Sequence, residues 1–150
     1  MKIFLANDHA ATDEKFELLN FLQKKYPQIE FKDLGTETKD RCNYPEYAKK
    51  VVSQIQMNPE SRGILICGSG IGMSMVANRY QGIRAALCCT VEQAVLSREH
   101  NDANILCLGA RTNQMDMLKE MTSAWIETEF GQGRHSDRIA LFNNLGEKIV

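Results

Sequence analysis

A cysteine and a serine sit among three alternating glycines at residues 67–72, Cys67-Gly68-Ser69-Gly70-Ile71-Gly72. Glycine accepts backbone angles that other residues avoid and lets neighbours come close, so such a turn can aim N–H groups at an anion. A base or nucleophile beside an anion hole is the chemistry this spacing offers. A cysteine ending a buried strand is more often a small inert hydrophobe. Cys67 differs because the turn's N–H groups and the helix expected after it favour a thiolate. Cys88, Cys89 and Cys107 read as packing residues.

The three histidines each fall in a polar cluster: Asn7-Asp8-His9, His100-Asn101-Asp102 and Arg134-His135-Ser136-Asp137-Arg138. Their spacing makes no metal motif of the HExxH type. Arg134 and Arg138 are four apart. On a helix they share a face, either as a two-armed phosphate clamp or as a plain solvated basic face.

Familiar phosphate turns do not fit. Counted from Gly68, a dinucleotide fingerprint needs glycine where Met73 stands. A P-loop needs Gly-Lys-Ser/Thr, which is missing. A cysteine-phosphatase loop needs arginine six residues after the cysteine, again the place of Met73.

The elements that must position these groups alternate. Ile3–Ala6, Ile29–Leu34, Ile64–Cys67, Ile83–Cys88 and Ile105–Leu108 read as strands. Ala10–Lys25 reads as a helix, with Phe16, Leu19 and Leu22 at helical spacing. Asn43 is expected to cap the second helix, with Pro45 in its first turn. A helix from about Met73 carries Met75, Val76 and Tyr80, and Thr90 with Gln93 resembles a capping box opening a helix to about His100. Asn113 is expected to cap a long helix reaching Phe130, with Met117, Met121 and Trp125 on one face. A last helix is expected at 137–149. This alternation predicts an α/β fold: a Rossmann-like three-layer α/β/α sandwich on a roughly five-stranded parallel sheet. Ligands then bind at the carboxyl ends of the strands, where Asp8-His9, the glycine turn and Arg111 fall. His100 and Asn101 precede the fifth strand and need a neighbouring element or subunit to reach that edge.

Size and composition bound the rest. A chain of 150 residues suits one domain. A formal net charge of −1, with both signs interspersed, offers no nucleic-acid or membrane surface. Five cysteines without a CxxC pair argue against a disulfide framework and for a reducing compartment. The apolar N-terminal run is too short for a signal peptide, so the expectation is a cytoplasmic protein.

The chain resembles the type B ribose-5-phosphate isomerases, in the family that includes the galactose-6-phosphate isomerase subunits. The resemblance rests on Asp8-His9, Asn43-Tyr44-Pro45, Ile66 to Gly72, Ala77-Asn78-Arg79, Gly82 to Ala85, Ser97 to Asn104, Gly109-Ala110-Arg111 and Gly133-Arg134-His135. These occur in family order and spacing across nearly the whole chain. Asn43 stands where the family often has Asp, and Ala10-Ala11 where it often has Gly. Both departures fall on the sugar pocket.

The resemblance implies interconversion of ribose 5-phosphate and ribulose 5-phosphate through an enediolate, without metal or organic cofactor. It implies that Cys67 moves the proton, that His100 with Asp8 opens the sugar ring, and that Ser69 lies beside the reacting carbons. The N–H groups of Gly68, Ser69, Gly70, Ile71 and Gly72 would hold the enediolate oxygen. His9, Arg134 and Arg138 would receive the phosphate, and Tyr44, Asn101 and Arg111 would line the sugar site. It also implies a homodimer or dimer of dimers with shared active sites, the C-terminal helix packing on the partner. Related readings are an allose- or galactose-type 6-phosphate isomerase and a non-catalytic sugar-phosphate binding protein. A cysteine hydrolase using Cys67, His100 and Asn101 or Asp102 fits by residue type alone.

Overall fold

The computed structural model describes residues 1–149. The strands are β1 (Lys2–Asn7), β2 (Glu30–Asp33), β3 (Arg62–Cys67), β4 (Ala85–Leu87) and β5 (Ile105–Gly109). The helices are α1 (Thr12–Lys25), α2 (Tyr44–Met57), α3 (Ile71–Ala77), α4 (Val91–Asn101), α5 (Met115–Glu127) and α6 (Arg134–Ala140), and a single 3-10 turn (His9–Ala11) leads into α1. The strands form one parallel sheet in the order β2-β1-β3-β5-β4.

Both faces of the sheet are covered, so its central strands are apolar on both sides. On one face Ile3, Leu5, Ile64, Ile66, Leu106 and Leu108 meet Leu18 and Leu22 of α1, Ala94 of α4 and Leu118, Met121 and Trp125 of α5. On the other, Phe4, Ala6, Leu65, Cys67 and Cys107 meet Val51, Val52 and Ile55 of α2 and Met73 and Ala77 of α3. Each fully buried aliphatic side chain stabilises the fold by about 1.5–3 kcal/mol. Among the described residues no helix is long and apolar enough to cross a membrane.

Several helix ends differ from expectation. Asn43 does stand at the cap position of α2, but its amide donates to Glu46 Oε1 at 3.1 Å rather than accepting a helix N–H. Gln114, not Asn113, precedes α5, because the Asn113 amide turns back to Gly109 O and Thr112 Oγ1, both at 3.0 Å. That helix stops at Glu127, short of Phe130, and Met117 on its stripe is partly exposed while Met121 and Trp125 are buried. Tyr80 lies beyond α3, which ends at Ala77. The capping box at α4 forms in a shifted version. Gln93 N donates to Thr90 Oγ1 at 3.1 Å, while the Gln93 side chain accepts from Cys89 N at 2.8 Å.

The largest correction is at the C-terminus. The last helix is Arg134–Ala140 instead of 137–149. Asn143, Asn144 and Gly146 disfavour helix, and Gly146 takes φ +106°. The tail then packs on its own chain: Glu147 N donates to Arg79 O at 2.9 Å and Gln81 N to Glu147 O at 2.8 Å.

Candidate active site

Strand order opens the site. The chain leaves β1 for β2 on one side, while β3 lies on the other, so the loops after β1 and β3 part and a crevice forms between them. Asp8 N donates to Ile66 O at 3.1 Å and ties the loop after β1 to β3. Asp8 Oδ1 accepts from Ala10 N at 2.9 Å, capping the 3-10 turn. The crevice is a cleft of ≈ 410 Å³ lined by Asp8, Tyr44, Cys67, Gly68, Ser69, Gly72, Arg111 and Thr112.

Within the cleft, the turn after β3 is tightly tied. Gly70 N donates to Cys67 Sγ at 3.1 Å, and Ile71 N to Ser69 Oγ at 3.3 Å. Two of the turn's N–H groups are therefore engaged inside it, one of them on the thiol. Gly70, at φ +76°, opens α3. A side chain there would meet Leu87 Cδ1 at 2.6 Å and the Leu108 carbonyl carbon at 2.9 Å. Gly72 gives close approach instead: the Tyr44 ring lies 2.7 Å from where its Cβ would stand. From β5, Ala110 N donates to Cys67 O and Arg111 N to Gly68 O, both at 2.9 Å, and the Arg111 side chain lies along Gly68.

His9 stands at the same edge, on the 3-10 turn. Its Nδ1 accepts from Cys42 N at 3.3 Å, with Cys42 Sγ at 3.8 Å. Because Nδ1 accepts, the neutral ring carries its proton on Nε2. Gly70 is buried and Ile71 exposed, and neither lines the cleft.

His100, Asn101, Arg134 and Arg138 gather elsewhere. Helices of a parallel sheet run against the strands, so the C-terminus of α4 lies at the strands' amino ends. There Arg84 Nε donates to Asn101 O at 3.1 Å, Asn104 N to Arg84 O at 3.1 Å, and Gly63 N, near the start of β3, to Asn104 O at 2.8 Å. The length of β3, about 16 Å at strand rise, separates this end from Cys67. Within one chain, Asp8 and His100 therefore stand at opposite ends of the sheet. The second group has its own order. The His100 and His135 rings stack at 4.4 Å and 11°, and Gly131 N donates to Glu99 O at 2.9 Å just before α6. Partial burial holds the His135 imidazolium below its ordinary pKa, helped by His100, Arg134 and Arg138 and opposed by Glu99.

A further cleft of ≈ 440 Å³ lies at this amino end, among Gln56, Gln81, Arg84, Asn143 and Lys148, with no cysteine or histidine in its wall. The other cysteines sort by environment. Burial pushes the Cys88 thiol up to about 11 and the Cys107 thiol well above its usual range, whereas Cys89 is exposed rather than packed. Among the described residues no three His, Cys, Asp or Glu side chains gather as a metal site requires.

Thr112 and Cys42 are the additions to the residues read from sequence. Thr112 was legible in principle, as a hydroxyl following Gly109-Ala110-Arg111 at a strand end. Nothing local to Cys42 signals a contact with His9, 33 residues away.

Known proteins resemble this chain in sequence and in fold. The sequence profile described as Ribose/Galactose Isomerase matches residues 3–142. Ribose-5-phosphate isomerase B of Escherichia coli is 37% identical over 147 residues, covering 98% of this chain and 97% of that one. A protein of Rickettsia conorii whose name goes no further than sugar phosphate isomerase is 42% identical over 138 residues, covering 92% and 94%. The crystal structure of a ribose 5-phosphate isomerase from Thermotoga maritima superposes with TM-score 0.90 at 45% identity, over 95% of this chain and 97% of that one. The chain belongs to the ribose/galactose isomerase family and is an aldose–ketose isomerase.

Proposed function

We propose that the substrate is a sugar phosphate, specifically ribose 5-phosphate converted to and from ribulose 5-phosphate, and that the working enzyme is a dimer. The observation that carries the chemistry is the Cys67 sulfur, held by Gly70 N–H in a cleft with Asp8, Tyr44, Ser69 and Arg111. Isomerisation removes a weakly acidic proton beside a carbonyl and returns it to the neighbouring carbon. Cys67 carries that proton. The enediolate oxygen falls to the N–H groups of Gly68 and Ser69, since Gly70 N–H is engaged on the sulfur. A well-placed donor lowers such a barrier by about 3 kcal/mol. Named relatives that act on ribose 5-phosphate support the pentose.

The separation of the residue set between the two ends of the sheet supports the dimer. Ring opening needs an acid, and phosphate needs cations. His100, Arg134 and Arg138 supply both, but at the far end of the sheet. Exposed apolar side chains accompany each half: Ile71 and Met75 on α3 beside the cleft, Leu141 and Leu145 after α6. A two-fold contact that seats the α6 end of one copy beside the α3 end of the other completes two sites at once. The phosphate then lies among His9 of one copy and Arg134 and Arg138 of the other, with Asn101 and His100 facing the sugar. Five unpaired cysteines suit a reducing cytoplasm.

The test mixes two inactive variants. Cys67→Ala should lose isomerisation yet still bind ribose 5-phosphate, and His100→Asn should lose turnover on ring-form substrate. Unfolded and refolded together, they should recover roughly a quarter of wild-type activity, because half the dimers are mixed and each mixed dimer has one intact site. No recovery argues against shared sites, and normal turnover by Cys67→Ala removes it as the base. Run across pentose and hexose phosphates, the assay gives ribose 5-phosphate the highest kcat/KM; preference for a hexose 6-phosphate overturns the pentose reading.

A further inference from the structure

The end of α4 carries a charged network that the reaction above does not use. Asp102 follows the helix at φ +46°, ψ +44°, the left-handed region. Aspartate tolerates this region better than most residues, but it persists where surrounding structure holds it. The helix itself closes without the carboxylate, since Asp102 N already donates to Arg98 O and Ser97 O. The carboxylate instead bridges two guanidinium groups, Arg98 Nη1 at 2.7 Å and Arg84 Nη2 at 3.0 Å.

The two arginines reach past Asp102 to main chain on either side. Arg98, buried, donates from Nη1 to Ala103 O at 2.7 Å. Arg84, from the segment before β4, donates from Nε to Asn101 O at 3.1 Å and Asp102 O at 2.9 Å. Its Nη1 also donates to Asn143 Oδ1 at 2.7 Å, in the segment that follows α6. One guanidinium thus joins the turn bearing His100 and Asn101 to the segment leaving the helix that bears Arg134 and Arg138.

We infer that Asp102, clamped by Arg84 and Arg98, is a positioning residue that fixes His100 and Asn101 relative to the phosphate-binding arginines. The inference rests on the proposed reading that this half-site serves the cleft of a second copy. Asp102 touches no substrate in this account; it acts through the groups it anchors. A brace for the fold alone would not need to end on the carbonyl of Asn101 while also holding the α6 tail. Two groups that must meet one sugar phosphate, one at each end, need a fixed separation, and small misplacement is costly in rate.

Asp102→Asn keeps the size and the tolerance for φ > 0 while removing the charge. The expected result is a kcat lower by roughly 10- to 100-fold on ring-form substrate, with KM changed much less and a smaller loss on an open-chain analogue. Refolded with Cys67→Ala, it should recover roughly a quarter of wild-type activity, because one site of each mixed dimer then takes its His100 half from an intact Asp102 chain. Wild-type kcat in Asp102→Asn overturns the inference. So does a loss that mixing fails to restore while the Cys67→Ala and His100→Asn pair does complement. Failure of that control pair overturns the shared site itself, and this inference with it. If Asp102→Asn does not fold, Arg84→Lys keeps a positive charge near Asp102 but cannot reproduce the forked contacts to Asn101, Asp102 and Asn143. The same kcat loss and the same recovery on mixing are expected, and a normal kcat in Arg84→Lys overturns the role.

Discussion

Each histidine draws its chemical character from its neighbours. His9 has Nδ1 occupied by Cys42 N–H, so the opposite nitrogen is the one that donates. His135 lies against His100 between two arginines and is held below its ordinary pKa, first by partial burial and then by those cations. A histidine whose folded pKa is depressed favours the neutral ring. Its contribution to stability is present above the unfolded value of about 6.5 and lost as pH falls through the folded pKa. In an NMR titration the His135 ring should therefore show a midpoint below that of a free histidine. Inorganic phosphate should raise the midpoint, because an anion between Arg134 and Arg138 offsets their repulsion of the imidazolium. A midpoint that phosphate leaves unmoved would take this cluster out of the phosphate site.

The turn from β3 into α3 makes two different demands on its glycines. Gly70 needs both a positive φ and an empty space facing Leu87 and the Leu108 backbone. Gly72 needs only the space that the Tyr44 ring occupies, and that ring is 38% exposed and able to move. Gly70→Ala should cost about 2–4 kcal/mol and lower Tm by roughly 5–15 °C, while Gly72→Ala should leave Tm nearly unchanged and raise KM. Denaturant melts with kinetics on both variants separate the two effects. Equal stability losses would mean that backbone strain at Gly70 is not what distinguishes them. At this scale the sequence was informative but imprecise. The glycines marked the turn, yet Asn113, a good cap by type, donates its amide to Gly109 O and Thr112 Oγ1, and Gln114 precedes α5 instead.

The whole molecule is an α/β sandwich whose chemistry-bearing residues divide between its two ends. Each end adjoins apolar side chains that one chain leaves uncovered, Met75 at 66% exposure and Leu141 at 84%. Met75→Glu should place a charge in the proposed contact. The expected outcome is a monomer by analytical ultracentrifugation, with activity at least about 100-fold lower because acid and phosphate clamp are then missing from the cleft. A fully active monomer would show that one chain contains a complete site.

By itself the sequence determined the class of fold and the chemical vocabulary. Apolar periodicity is a local property, so the five strands and the helices between them could be read within short windows. The cysteine turn, the acid-histidine pair and the paired arginines were equally local. Tertiary structure alone decided which of them meet. The order β2-β1-β3-β5-β4 puts the ends of β1 and β3 side by side and so brings Asp8 to Cys67. The antiparallel run of α4 against the sheet carries His100 to the other end, and the Arg84–Asp102 bridge joins residues 18 apart in sequence. Strand order and ion pairs of that span arise from non-local packing, which no short window of residues encodes.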